Sequence, residues 1–387
     1  MNPRPTIDMS EATRLTQQGR LQEAVAILRH TLPGVSLSSF RTQDLPAIEA
    51  GSTFSGDQSF TGQRTSSPHL PEILRRFTGR WGDFSSPDGF DVQANSAIDV
   101  ASFPRGAQFD ERVYANDAGR RAYKLFVPSG YKGQAVPLVV MLHGCTQSPD
   151  DFAAGTRMNA FAEERTFLVA YPAQDRSANR SRCWNWFNPA DQQRDRGEPL
   201  LLAGITRQIM RDLPVDPGRV YIAGLSAGGA AAAIMGSTYP DLYAGVGVHS
   251  GLACGAARCI SSAFAAMRRG SSRKQPIRSA AIPTIVFHGD GDMTVSPVNG
   301  DEVIAQAKPE TNLKPNVSRG RTAAGMAYTH TTHADEDGRP MLEHWLLHGA
   351  GHAWSGGSAQ GSFTEPRGPD ASREMLRFFF QQPALTL

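Results

Sequence analysis

The segment Gly224-Leu225-Ser226-Ala227-Gly228 places a hydroxyl between two glycines, directly after the apolar run Val220-Tyr221-Ile222-Ala223 and ahead of the small-residue stretch AGGAAAAIMG. Strand, G-x-S-x-G and helix in that order are what a nucleophile elbow requires, because the glycines permit a sharp turn that lifts a serine hydroxyl above a sheet. Serine alone is a weak nucleophile: a base must take its proton, and an acid must orient that base. In folds built on this elbow, the acid and then the histidine follow the serine in the chain. His352, in the glycine-rich stretch HGAGHAWSGG, is the candidate base, with His348 its competitor. Asp290 and Asp292, in PTIVFHGDGDMTV, both qualify by position as the acid. Asp292 is preferred, since the loop must carry the carboxylate away from the strand end towards the histidine, and Asp290 is then a loop-shaping residue. The backbone amides of Cys145, in Leu142-His143-Gly144-Cys145, and of Ala227 are the candidate oxyanion donors. His143 precedes the serine and is read as shaping its turn. His330 and His333, in YTHTTH, have a spacing open to metal ligands on a turn, but no third ligand accompanies them. They are read as ordinary polar residues, and neither a metal nor an organic cofactor is expected.

These groups need a frame. From about residue 111 short apolar runs (AVPLVVMLHG, TFLVAYP, RVYIAGLS, YAGVGVHSG, PTIVFHG, EHWLLHG) alternate with helical stretches such as DDFAAGTRMNAFAEER, LLAGITRQIMRDL, PVNGDEVIAQA and ASREMLRFFFQQ. Continuous apolar strands alternating with amphipathic helices imply a mostly parallel sheet covered on both faces, with chemistry at the carboxyl ends of its strands. The expected fold is therefore the α/β-hydrolase fold over 111–387. Residues 1–33 read as a small N-terminal helical hairpin: Ala12, Leu15, Leu21, Ala24, Ile27 and Leu28 recur at helical spacing on either side of Gly19. It looks like one tetratricopeptide hairpin without a second copy, and a lone repeat must dock on something to bury its apolar face: another subunit, a polymer surface or, the favoured reading, the main domain. Residues 34–110 are rich in Ser, Thr, Gly, Pro and Gln and read as a linker, partly ordered where Phe77, Trp81 and Phe84 touch the body.

Charge is balanced to within +2 over 387 residues, so neither nucleic acid nor a membrane surface is an expected partner. No apolar run is long enough to span a bilayer. The start MNPRPTIDMSEATRL lacks a basic n-region followed by an apolar core, which makes a cytoplasmic location the expectation. Cys145, Cys183, Cys254 and Cys259 lack metal-binding C-x-x-C spacing, and four cysteines allow three disulfide connectivities. Cys145–Cys183 would tie the loop around CWNWF to the oxyanion turn; Cys254 and Cys259 are close enough for a local bridge. The sequence leaves both open, together with buried free thiols, and leaves the oligomeric state open as well.

Taken together, LHGCTQ, CWNWF, GLSAGG, HGDGD and GHAWSGG resemble the esterase family of short-chain polyhydroxyalkanoate depolymerases, which also includes feruloyl and acetylxylan esterases. The likeness covers roughly residues 111 to 380, with the five motifs in the family's order. It implies Ser226, Asp292 and His352 as the triad and an ester hydrolase working through an acyl-enzyme. The implied substrate is a short-chain hydroxyalkanoate polyester or its oligomers, then feruloyl or acetyl esters on plant polysaccharide, then an aromatic polyester. It also implies an extracellular alternative to the cytoplasmic expectation, although the signal peptide and C-terminal polymer-binding domain of the extracellular members are not recognisable. Trp184 and Trp186, on the loop after TFLVAYP, and Trp354 beside His352 are the candidate substrate-binding aromatics; packing of the loop onto the body is the competing role. A serine peptidase is the rival within catalysis, and a granule-associated scaffold with a vestigial site is the rival outside it.

Overall fold

Buried β-branched and aliphatic runs set the centre of the molecule. In the computed structural model, which describes residues 104–271, 282–309 and 313–384, the segments Val136–Leu142, Leu168–Pro172, Gly245–His249 and Thr284–Gly289 are strands with every residue buried. All described residues lie in the larger of the chain's two units, Asp91–Leu387. The N-terminal hairpin and most of the linker lie outside the described residues.

Within this unit β1 (Gln108–Asn116) and β2 (Gly119–Val127) form a hairpin, and β1 begins inside the stretch read as linker. Then follow β3 (Val136–Leu142), α1 (Pro149–Thr156), α2 (Met158–Arg165), β4 (Leu168–Pro172), α3 (Gly197–Asp212) and β5 (Val215–Leu225). The second half comprises α4 (Ala227–Thr238), β6 (Gly245–His249), α5 (Ile260–Arg269), β7 (Thr284–Gly289) and α6 (Val298–Ala307). It closes with β8 (Lys314–Arg321), β9 (Ala327–Ala334), β10 (Pro340–Leu347), the short strands β11 (Trp354–Ser355) and β12 (Thr364–Glu365), and α7 (Ala371–Gln381). Ten strands make one sheet in the order β1-β2-β4-β3-β5-β6-β7-β10-β9-β8. Its interior, from β4 to β10, is parallel, and antiparallel hairpins flank it on both sides. Two hydrophobic clusters, one on each face, complete the α/β-hydrolase architecture expected.

Two local readings change. The stretch read as one helix from Asp150 is two, because Arg157 sits at φ 55° and ends α1, which Ser148 caps by accepting a bond from the Asp151 amide. His330 and His333 lie on β9 rather than on a turn, where His330 stacks on Trp345 and donates to Glu343.

Register brings the site together. Leu142 is level with Gly224, Leu225 with His249, His249 with Phe287, and Gly289 with Leu347. The carboxyl ends of β3, β5, β6, β7 and β10 are therefore aligned, and the chain leaving each one enters the same rim.

Candidate active site

Ser226 is the first residue beyond β5 and stands at φ 57°, ψ −119°, a backbone conformation that L side chains rarely adopt. The neighbouring glycines are needed for closeness rather than for φ. A Cβ at Gly224 would overlap the carbonyl of Gly228, and one at Gly228 would overlap the carbonyl of Leu142. The turn is pinned by the Ser226 amide, which donates to the His249 carbonyl at 2.9 Å, and α4 then runs on small buried side chains that let it lie against the sheet. The Ser226 hydroxyl makes no hydrogen bond with another described residue. Such bonds commonly tighten only when substrate is bound.

The two carboxylates that qualified by position are separated by their partners. Asp292, 5% exposed, accepts from Nδ1–H of His352 at 2.7 Å through one oxygen, while the amides of Thr294 and Val295 donate to the other at 2.9 and 2.8 Å. Burial pushes this carboxyl up, but the bond and charge of His352 and the Val295 amide outweigh it and hold it below the ordinary aspartate value. Asp290 instead pairs with His348 at 2.8 Å, in the open, and also accepts from the Gly349 amide at 2.6 Å. The two pairs tie the loop after β7 to the loop after β10. Further bonds from the Asp290 amide to Leu347 and from the Gly291 amide to Ala350 reinforce the tie.

The turn after β3 is held from behind. His143 is buried; its Nδ1–H donates to the Gly144 carbonyl at 2.7 Å, and its Nε2 accepts from the Gln174 amide at 3.1 Å. Burial depresses its pKa to about 4, so it is a neutral, shape-holding imidazole. The side chain of Gln147 accepts from the Gly144 amide. Among the described residues, the amides of Cys145 and Ala227 donate to no acceptor, as an oxyanion hole requires. A disulfide joins Cys145 to Cys183, whereas Cys254 and Cys259 are not bridged to each other.

The three tryptophans are buried rather than open to solvent. Trp184 and Trp354 are 0% and 1% exposed and Trp186 is buried beside Phe187. Trp184 donates to the His143 carbonyl at 3.0 Å; Trp354 donates to Ser372 and packs edge-on against Phe152. The rings of Trp184 and Trp354 are thus spent on holding loops and present no open face to an acyl group.

Sequence reasoning passed over three residues here. His249, with a pKa depressed to about 3 by burial and by His288 and His352, fixes the elbow through its carbonyl and accepts from the Ser355 amide through Nε2. His288 lies 3.6 Å from Asp292 and donates to the Val295 carbonyl, bracing the aspartate loop. Glu198, at the start of α3, accepts from Gln174 and Asn185; burial and nearby Asp191 push it up to about 7. Both His249 and His288 stand at the carboxyl end of a strand, a signal that could have found them, whereas nothing local marks Glu198. Among the described residues no helix is long and apolar enough to cross a membrane.

Comparison with known proteins agrees with this geometry. The profile of the family described as Esterase PHB depolymerase matches residues 121–314, half of the chain, a span that holds Ser226 and Asp292 and ends before His352. Poly(3-hydroxyalkanoate) depolymerase C of Paucimonas lemoignei is 33% identical over 239 residues, 58% of this chain and 56% of that protein. Poly(3-hydroxybutyrate) depolymerase of Ralstonia pickettii is 26% identical over 57% of this chain and 48% of its own length. Feruloyl esterase B of Neurospora crassa is 30% identical over 117 residues, 30% of this chain and 39% of its own. The chain thus spans about half the length of the curated relatives it matches. Among solved structures, an acetyl xylan esterase from Aspergillus awamori superposes with a TM-score of 0.54 at 18% identity, over 71% of this chain and 99% of that one, a likeness of fold.

Proposed function

We propose a function from one premise: the chain belongs to the esterase PHB depolymerase family. On our reading it is a serine carboxylic-ester hydrolase that works through an acyl-enzyme. His352, held in one tautomer by Asp292, takes the proton of Ser226 as the hydroxyl attacks the ester carbonyl, and the amides of Cys145 and Ala227 hold the oxyanion. The imidazolium then protonates the leaving alkoxide, and water repeats the cycle on the acyl-enzyme. One observation carries this reading: a serine at φ 57°, a hydrogen-bonded His352–Asp292 pair and two unengaged amides follow directly on aligned strand ends. Each amide donor is worth roughly 3 kcal/mol of transition-state stabilisation.

The proposed substrate is a short-chain polyhydroxyalkanoate or its oligomers, supported by the 33% identity to the Paucimonas depolymerase. A second reading, release of feruloyl or acetyl groups from polysaccharide, draws on the 30% identity to the Neurospora feruloyl esterase. The Cys145–Cys183 disulfide favours an oxidising compartment, and so the extracellular location over the cytoplasmic one. Hydrolysis of p-nitrophenyl esters from acetate to octanoate by wild type and Ser226→Ala tests the chemistry. Turnover retained by the mutant removes the proposed nucleophile. Hydroxybutyrate oligomers against methyl ferulate then separate the two substrate readings.

A further inference from the structure

The loop 173–188 lies behind the oxyanion-forming turn and touches it at four places. Cys183 is bonded to Cys145, the Thr146 amide donates to Ser181 at 2.7 Å, Trp184 donates to the His143 carbonyl, and the Gln174 amide donates to His143 Nε2. The position of the Cys145 amide therefore depends on where this loop sits. The loop is in turn hung from one buried carboxylate. Glu198, 6% exposed, accepts the Asn185 backbone amide on Oε2 at 2.8 Å and the Asn185 side chain on Oε1 at 2.8 Å. Oε1 also accepts Gln174 Nε2, which donates to the Cys183 carbonyl as well, at 2.9 Å. Glu198 is itself fixed from below, its amide donating to Asp191 at 2.8 Å. The charged groups that face it are Asp191 from the short 3-10 helix Pro189–Gln192 and Arg121 from β2, whose guanidinium is 3.7 Å away and donates to Gln174 Oε1.

We propose that Glu198 is a positioning residue for catalysis: by gripping Asn185 and Gln174 it sets the loop that aims the Cys145 amide at the developing oxyanion. This rests on the serine hydrolase reading above. Every partner of the carboxylate is a donor, and one is a backbone amide that no rotamer change can remove. Glutamine at 198 keeps the shape but presents an N–H₂ group to one of those donors, so the loop must shift to relieve the conflict. A misplacement on the scale of an ångström costs reaction rate by as much as a hundredfold without altering how the ground-state ester sits.

The test uses the full chain, with E198Q and, as a milder perturbation that holds even if E198Q does not fold, N185A, which deletes one side-chain donor and leaves the backbone amide. Steady-state kinetics on p-nitrophenyl butyrate are measured beside the inhibition constant of an alkyl trifluoromethyl ketone, whose serine adduct places an oxyanion in the hole. A folded E198Q is expected to lose kcat roughly 10- to 100-fold with KM within twofold, and ketone affinity by a similar factor. N185A should move kcat and ketone affinity together by a smaller factor. A purely structural anchor would shift the urea midpoint and leave both quantities within twofold in folded protein, which overturns the proposal. A fall in kcat without a matching loss of ketone affinity overturns it too. A wild type that turns over no ester overturns the hydrolase reading along with it, whereas Ser226-dependent turnover unaffected by E198Q removes this inference alone.

Discussion

Replacing Asp292 by asparagine should reduce kcat by about a thousandfold to ten-thousandfold, roughly 4 to 5.5 kcal/mol of transition-state stabilisation, while the same change at Asp290 should cost less than threefold. The size follows from the direction of the bonds. One oxygen of Asp292 is committed to the amides of Thr294 and Val295, at 2.9 and 2.8 Å. In the asparagine variant the carbonyl oxygen must take that position, since an N–H₂ there would face two donors. The N–H₂ group is then turned towards His352 Nδ1, now 2.7 Å from Asp292 Oδ2. It can only donate, so Nδ1 must accept, and the ring proton moves to Nε2. A histidine with Nε2 protonated cannot take the serine proton. At Asp290 nothing comparable happens. Its pair with His348 is 38% exposed on both sides, in the range where ion pairs contribute about 0 to 1 kcal/mol, and the imidazole it orients is not the proposed base. The assay is kcat on p-nitrophenyl butyrate for D290N and D292N at one pH, with circular dichroism confirming that both are folded. Equal losses in the two variants, or the larger loss in D290N, would refute both the choice of acid and the tautomer argument.

Other outcomes follow from the same contacts. Gly228→Ala drives a methyl group into the Leu142 carbonyl, and the expected loss is about 1–3 kcal/mol or more of stability, read from urea denaturation, together with esterase activity. Reducing Cys145–Cys183, which spans 38 residues, should lower the unfolding free energy by roughly 2–4 kcal/mol and reduce ester turnover, seen by repeating the denaturation curve with a phosphine reductant. Burial depresses His143, His288 and His344 to about 4 and His249 to about 3, so the unfolded chain binds more protons than the folded one between those values and about 6.5. Stability from these four is full above about pH 6.5 and is lost as pH falls below it. Glu198, pushed up to about 7, works the opposite way but is one group against four. The urea midpoint should therefore drop between pH 6.5 and 4.5, and a flat midpoint there would contradict the neutral, buried state of these histidines.

Much of the fold was legible because a parallel sheet writes its interior as continuous apolar runs. Val136–Leu142, Gly245–His249 and Thr284–Gly289 are wholly buried and were each visible as such. The hairpin β8–β9 was not, because an exposed edge pair carries no apolar alternation: seven of the eight residues of Lys314–Arg321 are exposed. The serine was legible from its glycines, whose spacing reflects the overlap at Gly224 and Gly228. Chain position admits both Asp290 and Asp292, and reach towards the histidine favours Asp292; in the structure the amides of Thr294 and Val295 and the bond to His352 are what hold that carboxylate inward. Trp184 and Trp354, read as candidate ligand contacts, turn inward for a related reason. Trp184 answers to His143, 41 residues away, and Trp354 to Ser372 and Phe152, so the side of the loop each ring takes is fixed by tertiary partners. The helical hairpin at 1–33 lies outside the described residues.

The way the site is divided between rigid and adjustable parts bears on how the strain at Ser226 is tolerated. A non-glycine residue held at φ 57° costs on the order of 1–3 kcal/mol, and it persists only where its surroundings over-determine it. Here the surroundings are β3, β5 and β6, fully buried where they approach the elbow, with α4 packed over them and the Ser226 amide bonded to His249. The nucleophile and the Ala227 donor therefore sit on well-braced backbone, whereas the Cys145 donor is held through the loop that Cys183 ties to it. Acid and base come instead on loops that extend past β7 and β10, where nothing in the sheet fixes their separation. That separation is set by loop-to-loop bonds, namely His348 and Gly349 to Asp290, Asp290 to Leu347 and Gly291 to Ala350. Each is weak alone, yet all must yield before the loop of Asp292 can move relative to the loop of His352. Asp290 supplies both side-chain ties, to His348 and to the Gly349 amide, so D290A removes the two together and H348A only the first; the D290A/H348A variant should therefore have a kcat close to that of D290A, a loss smaller than the product of the single losses.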